Sequence, residues 1–79
     1  MSTVIIPPEM VDTFGKRVRL CRQLKGLRAN TFAGTVGITR PYLSGLENGP
    51  HKLPSQPTLQ RMAQALGVTT SQLLGETPL

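Results

Sequence analysis

A chain of 79 residues, 38% hydrophobic and without tryptophan, can bury one modest core, so one domain is expected, with roughly 40% of the unfolded-chain surface still exposed after folding. Nine lysines and arginines against four acids give a formal charge of +5, a balance that points to an anionic partner or to a strongly solvated face. The single Cys21 excludes an internal disulfide, His51 has no second His or Cys near it to hold a metal, and no run reaches the roughly 18 to 20 apolar residues of a membrane span.

Residues 1–8 read as an N-terminal arm. Its run Val4-Ile5-Ile6 has no basic region ahead of it, so a secretion signal is not expected and the chain is placed in the cytoplasm. The first helix is expected to open at Pro7 or Pro8, where the missing N–H costs nothing, and to close at Gly26. Its apolar stripe is Met10, Phe14, Val18, Cys21 and Leu24; within that stripe Cys21 reads as a small core hydrophobe. A second helix, about Ala29 to Val36, turns Phe32, Ala33 and Val36 inward and ends at Gly37. Thr39 then caps a third helix to about Asn48, with Leu43 and Leu46 on its buried side and Gly49 as its stop. The segment PHKLPSQP, residues 50–57, holds three prolines and is a loop. Pro57 and Thr58 open a fourth helix with Leu59, Met62, Ala63 and Leu66 inward and Gly67 behind it. Thr69 begins the last helix, because TTSQLL supplies a capping box between Thr69 and Gln72, and Leu73 and Leu74 complete the core. The fold class is therefore all-α, five short helices with no alternating run long enough for a sheet.

Charge is unevenly placed along these helices. No acid lies between Asp12 and Glu47, whereas Lys16, Arg17, Arg19, Arg22, Lys25, Arg28 and Arg40 all fall there. Such a one-sided field attracts polyanions, and nucleic acid is the commonest polyanion for a small basic domain. An enzyme is not expected: there is no paired carboxylate, no nucleophile with a base and no phosphate-cradling loop, and no cofactor is implied.

From Phe14 to Gly75 the chain resembles the phage-repressor and Cro type of helix-turn-helix DNA-binding domain. The matching stretches are GKRVRLCRQLKGL, FAGTVGI, LENG and LQRMAQALGVTTSQLLGE. Ala33 and Gly37 stand four apart, Ile38 follows, and Leu43 and Leu46 come six and nine residues after the glycine. The resemblance divides the chain into an arm (1–8), the DNA-binding domain (9–75) and a tail (76–79). It implies that the third helix lies in the DNA major groove, with Arg40, Pro41, Ser44 and Gly45 facing bases. Arg40 either reads a guanine through O6 and N7 or contacts phosphate only. Phosphate contacts are implied for Arg28, Asn30, Thr39, Asn48 and Lys52, and for Tyr42 unless that ring simply packs half-buried. Where this family commonly carries glutamine at the start of the second helix, this chain has Ala29, so one usual phosphate contact is missing and Arg28 or Asn30 replaces it. The resemblance also implies an ion pair between Arg22 and Glu47.

The function so implied is a sequence-specific regulator of transcription, a repressor that binds a palindromic operator in double-stranded DNA as a homodimer. Its dimer contact is expected around Leu53, the loop between the last two helices and the Gly75–Leu79 tail. The arm either pairs with a second copy, lies along the body or stays disordered. The alternative function is an antitoxin or adaptor of the same fold whose main partner is a protein. Met1 and the tail GETPL read as the ends of a complete chain, against the rival of a targeting domain within a larger protein.

Overall fold

The computed structural model describes residues 6–49 and 53–79. Among these, a 3-10 turn, Pro8–Met10, precedes five α-helices: α1 Phe14–Leu24, α2 Ala29–Val36, α3 Arg40–Asn48, α4 Gln56–Leu66 and α5 Thr70–Leu74. The described residues contain no strand.

The first helix starts later than its apolar spacing predicts. Thr13 adopts an extended conformation (φ −131°, ψ 159°) and its hydroxyl accepts from the Lys16 N–H at 3.1 Å. That cap fixes the N-terminus of α1 and leaves the prolines in a separate turn. Two residues of the expected stripe consequently fall outside the core: Met10 lies ahead of the helix and is 43% exposed, and Leu24, in its last turn, is 64% exposed. Phe14, Val18 and Cys21 are buried as the spacing predicts.

The other helices lie where the sequence puts them, with one shift. α4 opens at Gln56, so Pro57 is its second residue, where a proline loses no helical bond. Ser55 caps it by backbone geometry only; its hydroxyl donates to Thr58 Oγ1 at 3.0 Å. At α5 the capping box is complete: the Gln72 N–H donates to Thr69 Oγ1 at 3.0 Å, and the Thr69 N–H to Gln72 Oε1 at 2.9 Å. The tail is tied back onto α5, since the Glu76 N–H reaches Ser71 O at 2.9 Å and Gln72 Nε2 donates to Pro78 O at 2.9 Å.

One core joins all five helices. Val18, Phe32, Val36, Leu43, Met62 and Leu73 are fully buried, and Ala33, Leu46, Leu59, Ala63 and Leu66 close the gaps between them. α3 packs between α1 and α2, α4 backs α2, and α5 fills the corner between α1 and α4. The α1–α3 approach depends on Gly15. A methyl group there would collide with the carbonyl oxygen of Leu46 and stand 2.7 Å from that of Glu47, so only glycine lets α1 lie against the last turn of α3.

Candidate functional site

The site is built around the turn between α2 and α3. Gly37 takes the left-handed conformation (φ 83°), the Ile38 N–H returns to Ala33 O at 2.9 Å and the Gly37 N–H to Gly34 O at 3.3 Å. This is a Schellman closure, which satisfies the last carbonyls of α2 and reverses the chain within two residues. Ala33, 3% exposed, leaves room for the crossing. Thr39 then caps α3: extended (φ −80°, ψ 157°), it accepts the Tyr42 N–H at 3.2 Å. Pro41 stands in the first turn, where no helical N–H is missed.

At 3.6 residues per turn, Leu43, Leu46 and Glu47 form the buried side of α3. Pro41, Gly45 and Asn48 are exposed on the opposite arc, with Ser44 half-buried beside them and Arg40 exposed at the first residue of the helix. Tyr42, 42% exposed, stands at the edge of that arc. A methyl group built at Gly45 meets nothing within 4 Å, so no packing among the described residues accounts for this glycine. Asn48 is not idle: its Nδ2 donates to Ser44 O at 3.0 Å and approaches Ser44 Oγ at 3.4 Å.

The arc is held from behind by Arg22 and Glu47. Arg22 Nε donates to Glu47 Oε2 at 2.8 Å and Nη2 to Oε1 at 3.1 Å, a forked pair whose side chains are 12% and 6% exposed. Arg22 Nη1 also donates to Leu27 O at 2.9 Å. One guanidinium thus ties α1, the connection into α2 and the last turn of α3 together.

The basic residues divide into two groups. Arg17 donates to Leu73 O and Val11 O, both at 2.6 Å; with Arg22 it belongs to the internal framework. Arg61 does the same from α4, with Nε on Val36 O at 3.0 Å and Nη2 on Thr58 Oγ1 at 3.2 Å. Lys16 pairs with Asp12 at 3.0 Å in an exposed i,i+4 contact, and Lys25 lies beside Gly67 past the end of α4. Arg28 and Arg40 stand at the starts of α2 and α3, and among the described residues neither has a carboxylate within ion-pair reach. Arg28 occupies the cap position of α2 without a side-chain cap bond, and Asn30 is exposed in the first turn. The N–H groups opening α2 are therefore left available to an anion. Lys52 lies outside the described residues, as do His51 and most of the N-terminal arm.

Sequence reasoning missed Gly15 and Arg61. The signal for Gly15 was a glycine inside a helix, which nothing local required. Arg61 had none, because its acceptor is a backbone carbonyl 25 positions away. Burial raises the thiol of Cys21 above its ordinary range, in keeping with a core residue. No group of three or more potential metal ligands gathers among the described residues, and no helix there is long and apolar enough to cross a membrane.

A helix-turn-helix family model matches residues 18–73. Over 59 residues the chain is 46% identical to the HTH-type transcriptional regulator DdrOP3 of Deinococcus deserti, covering 75% of this chain and 45% of that protein. Over 67 residues it is 33% identical to the immunity repressor protein of Bacillus phage phi105, covering 85% and 46%. The chain thus spans less than half the length of these curated relatives. Among solved structures it is similar to SinR, the master regulator for biofilm formation of Bacillus subtilis, in complex with DNA. The TM-score is 0.71 at 28% identity, covering 77% of this chain and 97% of that one. By the family match, the Gly37 turn and the five-helix core, the chain belongs to the helix-turn-helix family of phage-repressor and Cro type.

Proposed function

We propose that this chain is a sequence-specific regulator of transcription, a repressor that binds a palindromic operator in double-stranded DNA as a homodimer. The observation that carries this reading is the exposed side of α3, opened by Arg40, held by the Gly37 turn and the Arg22–Glu47 pair, with Arg28 at the start of α2. The DNA-bound SinR structure and the regulators and repressor among the relatives support it.

In this reading α3 enters the major groove. Arg40, at its first residue, takes O6 and N7 of a guanine through two parallel N–H bonds, worth about 1 to 3 kcal/mol of discrimination. Pro41 and the open backbone at Gly45 meet the groove by shape and apolar contact. Arg28, Asn30, Thr39, Tyr42 and the N–H groups opening α2 hold phosphates and set the register. Thr39 can do this while capping α3, because its hydroxyl accepts the Tyr42 N–H and keeps its own proton to donate.

Affinity for random duplexes and for duplexes selected from a random pool, measured across a salt series, tests the proposal. Arg40→Ala is expected to flatten base preference at one position per half-site. Arg28→Ala is expected to weaken all sequences alike and to reduce the salt slope by about one. Salt-sensitive binding without preference among sequences would remove the specific part of the reading, and an Arg40→Ala variant with its preference intact would remove Arg40 from base reading.

A further inference from the structure

We propose that Asn48 acts through Ser44, fixing the Ser44 hydroxyl as a hydrogen-bond donor toward the DNA, so that the base read by Ser44 is one that offers an acceptor. The inference rests on the DNA-binding reading above and deepens it. The family resemblance places Asn48 on a phosphate, but its amide is already engaged within α3.

The polarity follows from the geometry. A backbone carbonyl only accepts, so the Asn48 atom 3.0 Å from Ser44 O is the amide nitrogen and the side-chain orientation is settled. That nitrogen also stands 3.4 Å from Ser44 Oγ, and an amide nitrogen can only donate to it. A hydroxyl that accepts from an amide directs its own proton elsewhere. The usual alternative in a helix is to donate to the carbonyl four residues back. Thr35 on α2 does so, bonding Thr31 O at 2.9 Å; Ser44 makes no such bond among the described residues. Its proton is left for the groove. Serine is too short to reach a base across a bulky neighbour, and the next residue is Gly45, with open space where a side chain would stand.

A donor at this place fits purine N7, guanine O6 or thymine O4 and is repelled by the amino groups of adenine and cytosine. Asn48 is therefore a positioning residue for specificity, whose removal changes which base is preferred.

Duplexes bound from a random pool by the wild type, Ser44→Ala, Asn48→Ala and Asn48→Asp provide the test, with a thermal melt on each variant to confirm that it folds. Ser44→Ala and Asn48→Ala are expected to flatten preference at the same base pair, each about three- to tenfold. The double variant should lose little more than either alone, because the two residues act as one unit. In Asn48→Asp a carboxylate takes the Ser44 proton, and the preference at that pair should shift toward an amino-bearing edge. The proposal is overturned if Asn48→Ala weakens every sequence alike with a shallower salt slope, which is the signature of a phosphate contact. It is overturned equally if Asn48→Asp keeps the wild-type preference at that pair. A wild type that selects no sequence at all would instead overturn the DNA-reading function itself, so the two failures are distinct.

Discussion

Each nitrogen of the Arg22 guanidinium meets an oxygen: two from Glu47 and one from the backbone of Leu27. Both side chains are largely withdrawn from water, so their attraction is offset by the cost of desolvating two charges. The pair is better understood as setting the position of α3 than as a large net gain in stability. Losing one partner is a different matter, because the other charge remains buried. Glu47→Ala is expected to destabilise the fold by about 3 kcal/mol, read as a lower denaturation midpoint, with Glu47→Gln costing less because its amide oxygen still accepts from Arg22. A loss within a few tenths of a kcal/mol for Glu47→Ala would mean that water reaches Arg22 freely and that the clamp is only a surface contact.

At the scale of one element, α3 holds two residues that helix propensity disfavours, and they differ in kind. Pro41 is accommodated by its place behind the Thr39 cap. Gly45 is not accommodated by anything among the described residues, since a methyl group there meets open space. Gly45→Ala should therefore stabilise the helix by about 0.5 to 1 kcal/mol and, if the α3 backbone approaches the groove as proposed, at the same time weaken binding to the preferred duplex. A thermal melt and a titration on the same variant read the two opposite signs; a variant that is more stable and binds undiminished would remove close backbone approach as the reason for this glycine. The elements legible in the sequence were those governed by local rules. Thr39, the Thr69–Gln72 box and the turn glycines Gly37 and Gly67 act within a few residues of themselves, so their positions follow from the residues alone. The start of α1 was misplaced because apolar spacing carried Met10 across a break that the Thr13 cap imposes. Gly15 against α3, Arg61 on Val36 O and the Asn48–Ser44 contact were not legible. The first two are tertiary, and the third depends on which way an amide turns.

At the scale of the whole molecule, the proposed reading gives one copy too little DNA contact to be specific. α3 has nine residues, about 13 Å at 1.5 Å each, which matches about four base pairs at roughly 3.4 Å apiece. Four base pairs recur by chance about every 250, so a single copy faces far too many competing sites. Two copies on one face of the duplex, with half-sites about 34 Å apart, multiply the discrimination. The molecule measures 36 × 23 × 20 Å, so copies at that spacing can touch, and the second binding event becomes nearly intramolecular. Spacing is therefore the decisive variable. Inserting five base pairs between the half-sites of a selected palindrome turns them to opposite faces, and the apparent affinity is expected to fall by about tenfold or more. Inserting ten restores the face but adds a full turn of separation, so the joint gain should stay lost. Binding titrations on the three duplexes, with stoichiometry read in parallel, separate the cases: a chain that reads DNA alone would bind all three alike, one copy per half-site, and the homodimer would then be abandoned.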